Sequence, residues 1–315
     1  MLRRTLLFSF ATVLLALPAP SQTSYDSGEM LVDAFELSSD AYQGRRIGTE
    51  GNAAARAFIV RSLRKSGLDS LDGSFLQDFS VEGDRSATGK GVNVVGIVPG
   101  SSLPDRYIVI SAHYDHLGVR DGQIFNGADD NASGTAAVLA LAKYFSMVNR
   151  PHHSILFALF DGEEAGLLGA KAFVSSPPVP LDHIVVDINL DMVSRSEAGE
   201  LYVSGTRHYP FLREPVARAA EAANERGSGA VKILFGHDEP GTGHDDWTMA
   251  SDHGPFHRAG IPFIYFGVED HPGYHQPSDD FADITPRFYI NAVEVILQSV
   301  LELDASIESV RAGGN

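Results

Sequence analysis

The 315-residue chain contains no cysteine and a single tryptophan. Without thiols there are no disulfide staples, no lipid attached to a cysteine and no thiolate around a metal. Any bound cation must be held by His, Asp and Glu, donors that suit Zn2+ or a harder ion. Positive charge is also scarce: 24 Lys and Arg stand against 41 Asp and Glu, a formal charge of −17. Such a surface disfavours nucleic acid and anionic membrane, so no nucleic-acid partner is expected. Long apolar runs are missing from all but one place. Residues 5–17 are apolar, follow Arg3 and Arg4, and precede Pro18-Ala19-Pro20-Ser21. That order matches an export signal, with an apolar stretch short for a bilayer span. The expectation is a signal peptide over 1–21, a periplasmic or secreted mature chain, and no stable membrane partner after cleavage.

What remains is ordinary globular material, 43% hydrophobic and 21% charged, and long enough for a substantial core. Residues 107–112, 154–160 and 184–190 are near-continuous apolar runs, as expected of strands covered on both faces. Residues 75–81, 92–98, 201–204, 231–235 and 261–266 also read as strands. Thr49 is placed to cap a helix that Gly67 stops. Further helices are expected at 136–147, 167–173 and 210–226, and a closing one from Thr285-Pro286. Strands alternating with helices predict an α/β fold: a single domain with a mostly parallel central sheet flanked by helices. Its expected extent is 45–305, between an N-terminal segment (22–44) and a C-terminal tail (306–315).

Metal-capable side chains appear where the apolar runs stop. His113-Tyr114-Asp115-His116 follows the 107–112 run, and Asp161-Gly162-Glu163-Glu164 follows 154–160. Asp191 closes the 184–190 run, while Asp129-Asp130-Asn131 lies in a loop entering a helix. In parallel sheets, ligands gather at such carboxyl ends. The neighbouring carboxylates of Glu163 and Glu164 repel unless something positive binds one. On a turning backbone their side chains diverge, so one can hold a cation while the other faces a substrate. Asn131-Ala132-Ser133 matches a glycosylation sequon, but a glycan there would block the loop. The Gly127–Gly134 stretch lacks the Lys-Ser/Thr ending of a phosphate loop, and its acids would repel phosphate.

In order along the chain, Ser111-Ala112-His113-Tyr114-Asp115, Gly127-Ala128-Asp129-Asp130-Asn131-Ala132-Ser133-Gly134, Asp161-Gly162-Glu163-Glu164, Asn189-Leu190-Asp191-Met192 and Tyr274-His275 resemble metallopeptidase family 28, the co-catalytic zinc exopeptidases that include bacterial leucyl aminopeptidases. The likeness spans roughly 45–300. It implies two Zn2+ per chain: His113 and Asp191 on one, Glu164 and His275 on the other, and Asp130 bridging them before a cis Asp130–Asn131 peptide. Glu163 would be the general base, and Asp115 would orient the His113 imidazole. The implied activity is removal of N-terminal residues from peptides with a free N-terminus. His116, Asp129, His253, His257 and His271 are read as structural or supporting groups. Trp247 and Phe256 are candidates for a side-chain pocket or the core, and Arg195 for a substrate carboxylate. Relatives carry a tyrosine that helps stabilise the oxyanion where this chain has Thr248. The alternatives are a glutaminyl-cyclase-like single-zinc aminoacyltransferase, a dipeptide-type carboxypeptidase, and a binding domain without activity.

Overall fold

The computed structural model describes residues 23–226 and 231–313. The expected signal peptide lies outside the described residues. The chain runs through α1 (Ser27–Leu37), α2 (Glu50–Lys65), β1 (Asp69–Ser70), β2 (Leu76–Ser80), β3 (Lys90–Val98) and β4 (Leu103–His113). A small hairpin, β5 (Gly118–Arg120) and β6 (Gln123–Phe125), precedes α3 (Gly134–Met147). Then come β7 (His153–Phe160), α4 (Leu168–Ser175), β8 (Ile184–Leu190), β9 (Glu200–Ser204), α5 (Arg213–Arg226) and β10 (Lys232–Phe235). The last elements are α6 (His253–Arg258), β11 (Phe263–Gly267) and α7 (Pro286–Gly313).

Local chemistry sets many of these bounds. The Thr49 hydroxyl accepts the Asn52 N–H to cap α2, and Gly67 stops it in the left-handed region at φ +74°. Every residue of β7 and β8 is buried, which explains why neither shows a polar/apolar alternation. The helix α7 continues through the segment expected to be a tail, because Leu303 and Ile307 keep its apolar face in the core. The 22–44 segment contributes α1, whose Met30, Ala34 and Leu37 are buried in the main core. Residues of α1 and of the later turns of α7 therefore pack into the main core.

The main sheet runs β1-β3-β7-β4-β8-β11-β9-β10, with β2 also on β3. It is mixed. The centre, β7-β4-β8-β11, is parallel, whereas β1, β2 and β7 each pair antiparallel with β3, and β9 pairs antiparallel with β11. The link between β2 and β3 is too short for a crossover helix, so those two can only run antiparallel. One core joins the sheet to α1, α2, α3, α5 and α7. The opposite face packs on α4 and α6 through Phe160, Phe173 and Phe256. From β4 the chain goes out to β7 and then returns past β4 to β8. The strand order reverses about β4 and opens a crevice beyond the carboxyl ends.

Candidate metal centre and cleft

Neighbouring strands deliver the candidate ligands. Register sets His113 beside Phe160, and Ser111 beside both Ala158 and Asn189. His113, the 161–164 turn and Asp191 therefore leave the sheet side by side. The 127–134 loop closes over them. The Asp279 carboxylate accepts the N–H groups of Asp129 and Asp130, and Asn131 donates its side-chain N–H to the Leu190 carbonyl. The Asp130–Asn131 peptide is cis, as the resemblance implies.

His113 Nε2 lies 3.2 Å from Asp191 Oδ1 and 3.3 Å from Asp130 Oδ1. The second oxygen of Asp130 is 3.1 Å from His275 Nε2, which is 3.3 Å from Glu164 Oε2. Two atoms bound to one zinc at about 2.0–2.2 Å can be no more than about 4.4 Å apart. These separations fit two cation positions that share Asp130, one oxygen to each. Glu164 Oε1 is buried and has no hydrogen-bond partner among the described residues, the state of an oxygen left for a cation.

The electrostatics agree. Burial works against charging His113, but Asp191 and Glu163, with Asp115 and Asp130, outweigh it and hold the imidazole well above its ordinary range. Burial likewise opposes a charge on His275, yet its contacts with Asp130 and Glu164 push it up to about 10. Burial alone would raise Asp130; His116, His113 and His275 instead hold it well below the usual carboxylate range. Asp130 thus favours its ionised form, and His113 and His275 favour their positive forms.

Glu163 lines the cleft with part of its surface open. Desolvation, together with Asp191, Asp252 and Glu164, pushes its carboxyl well up despite the opposing pull of His113. Asp115 sits behind the candidate ligands and faces both His113 and Glu163. His113 Nδ1 meets the Asp115 main-chain carbonyl at 3.2 Å, while the carboxylate is 3.7 Å away and accepts the Glu163 N–H at 3.0 Å. Its carboxylate thus fixes the Glu163 backbone, and its carbonyl faces the imidazole.

The cleft holds about 490 Å3. Leu167, Met192, Trp247, Met249 and Val268 make its apolar wall, and Asp246 and Asp270 add carboxylates; none of its lining residues is Lys or Arg. Trp247 lines the cleft, stacked on His237 at 3.7 Å, whereas Phe256 is core. Thr248 is turned away, its hydroxyl 3.0 Å from His208 Nε2. His271 stands 3.1 Å from Asp129, whose other oxygen accepts from the Ser194 N–H and hydroxyl, so both support the loop. His253 is buried against the Trp247 carbonyl, and His257 faces the Tyr209 hydroxyl. Arg195 packs against Gly273 and is not among the lining residues.

A family model described as Peptidase family M28 matches residues 93–300. The chain belongs to Peptidase family M28. Among similar curated relatives, aminopeptidase YwaD of Bacillus subtilis is 31% identical over 67% of this chain and 44% of its own length. The probable glutamate carboxypeptidase VP8 of Zea mays is 30% identical over 73% of this chain and 34% of its own length. The chain thus spans less than half of either relative. The fold resembles a zinc aminopeptidase from Bacillus subtilis (TM-score 0.67, 21% identity, 87% of this chain and 94% of that one). It also resembles a Porphyromonas gingivalis glutaminyl cyclase (TM-score 0.71, 19% identity, 89% and 99%). Both likenesses show the fold, a single α/β domain with a mixed central sheet flanked by helices.

Two groups near this centre, Arg45 and Ser251, went unrecognised in the sequence, and a third, His116, was expected only as a structural or supporting group. Arg45 is buried and donates to the carbonyls of Leu37, Tyr114, Asn126 and Gly127 at 2.6–3.0 Å, tying α1 to both loops that carry ligands. Partners that are all main-chain carbonyls leave no spacing pattern to find. Ser251 donates to Asp191 at 2.6 Å and accepts from Asn189, which orients that carboxylate. His116 lies 2.7 Å from Glu164; its spacing of three from His113 was the available signal.

Proposed function

We propose that this chain is an exported, zinc-dependent aminopeptidase that hydrolyses N-terminal residues from peptides. The convergence of His113, Asp130, Glu164, Asp191 and His275 around two positions, with Glu163 facing the same cleft, carries the reading. His113, Asp191 and Asp130 would hold one zinc, and Glu164, His275 and Asp130 the other. When bound, the zinc pair supplies Lewis acidity toward the scissile carbonyl and lowers the pKa of water.

The chain's own groups do the rest. Glu163 takes a proton from the attacking water and returns it to the leaving amine, and its raised pKa suits both transfers. Asp115 holds the Glu163 backbone in place. The apolar wall excludes water from the first side chain of the substrate. Asp246 and Asp270 favour the free ammonium group, and the absence of Lys and Arg from the lining disfavours anchoring a C-terminal carboxylate. Arg3-Arg4 with the apolar residues 5–17 supports export.

The test is an aminoacyl anilide with a free amine beside its N-acetylated form, with zinc counted in the same preparation. Cleavage of the free form, loss on chelation and recovery with Zn2+ or Co2+ are expected. Hydrolysis of only the blocked form, or indifference to chelator, would overturn the reading. Cyclisation of an N-terminal glutaminyl peptide with one zinc bound would replace it with the cyclase chemistry.

A further inference from the structure

His116 was read from sequence as a supporting group, yet its surroundings are those of a ligand. The ring is buried. Its Nδ1 lies 2.7 Å from Glu164 Oε1 and 3.7 Å from Asp130 Oδ2. Despite the short separation, Nδ1, Nε2 and Glu164 Oε1 all lack a hydrogen-bond partner among the described residues. A simple imidazole–carboxylate pair would align a hydrogen bond between them. Two donors aimed at a common third point would not. The ring is also held in position. A Cβ on Gly127 would come within 2.5 Å of the His116 ring and 2.0 Å of the Asp130 carbonyl, so the bare glycine backbone lies directly against the imidazole. On the other side stands His275, with ring centroids 5.9 Å apart.

We propose that His116 is a direct ligand of the second cation, completing a donor set of His116, Asp130, Glu164 and His275. This rests on the two-metal reading and goes beyond the ligands carried by the family motifs. His116 Nδ1 lies 2.7 and 3.7 Å from Glu164 and Asp130, and His275 Nε2 lies 3.3 and 3.1 Å from the same two carboxylates, all below the about 4.4 Å that one zinc allows. The two positions then differ in kind. His113, Asp130 and Asp191 give three protein donors with a place left open, whereas the second set has four, the number found in closed tetrahedral sites.

The experiment is paramagnetic NMR of the di-cobalt protein labelled with 15N-histidine. Directly bonded imidazoles give strongly shifted ring signals, and three sets are expected, from His113, His116 and His275. His116→Gln should remove one set and, in equilibrium dialysis of the metal-free protein, weaken one of two zinc ions at least tenfold while sparing the other. Two shifted sets in the unaltered protein would overturn the assignment, as would a variant that binds both ions like the wild type. The spectrum of the unaltered protein decides the matter even if the variant fails to fold. A protein that binds no cobalt or zinc would instead remove the metallopeptidase reading itself, which separates the two failures.

Discussion

Replacing Asp187 with asparagine should stabilise the protein at neutral pH, because β8 places this carboxyl where water cannot reach it. Asp187 is fully buried in β8, one of its oxygens accepts from the Ser111 hydroxyl at 2.8 Å, and the other has no partner among the described residues. Desolvation pushes its pKa up to about 8, with the Ser111 bond pulling weakly the other way. In the unfolded chain an aspartate titrates near 3.9. Between those values the folded state keeps a proton that the unfolded state releases, so stability falls as pH rises. The contribution is fully present below about pH 4 and is lost as pH rises to about 8. Each unit is worth about 1.4 kcal/mol, so by pH 7 the wild type has forfeited up to about 4 kcal/mol. Asparagine keeps the shape and an acceptor for Ser111 but does not titrate. Denaturant unfolding of both zinc-loaded proteins from pH 4 to 9 measures the effect. The two should be similar near pH 4, and Asp187→Asn should lead increasingly until about pH 8. Parallel stability curves across that range would refute the reasoning.

Glu163→Gln should keep its zinc, by elemental analysis, and lose about 10^2- to 10^4-fold in kcat; near-normal turnover would remove Glu163 from the base role. Arg45→Met strands four carbonyls that now share a buried guanidinium, and should destabilise by about 3–5 kcal/mol in urea unfolding, with Arg45→Lys recovering only part. A loss under about 1 kcal/mol would show that water satisfies those carbonyls. Zinc added to the metal-free protein in weak buffer at pH 7 should release protons, because His113 and His275 are both raised and hold a proton until a cation replaces it. A pH electrode reads the release directly, and none would mean that the imidazoles are already neutral.

The parts legible in the sequence were those whose physics is local or repeated. The 107–112, 154–160 and 184–190 runs became β4, β7 and β8, because a strand buried on both faces needs apolar residues throughout. Direction is not written that way. The antiparallel pairing of β2, β3 and β7 depends on link length and on which strand inserts between which, so the pattern supports a mostly parallel sheet without saying which strands depart from it. The β5–β6 hairpin and α6 were missed because three and six residues carry too little periodicity to register. At the site, the five candidate ligands were legible because each lies in a motif at a strand end or in a loop that contains glycine. Arg45 and His116 were not, since one binds only carbonyls and the other's role depends on where its ring points.

Charge balance explains why these details belong together. Asp115, Asp130, Glu163, Glu164, Asp191 and Asp252 crowd behind one cleft, and burial raises Asp252 well above the carboxylate range with both its oxygens unpartnered among the described residues. Arg45 is the buried guanidinium beside them; desolvation lowers it to about 10, against Asp130, Asp279, Asp115 and Glu164, so it stays charged at pH 7. One guanidinium cannot offset several carboxylates, and the imidazoles answer only by holding protons. Two divalent cations would displace those protons and supply what the side chains lack. Such an acid cluster suits a cation site better than a core, and Arg45 holds its loops together through four main-chain carbonyls.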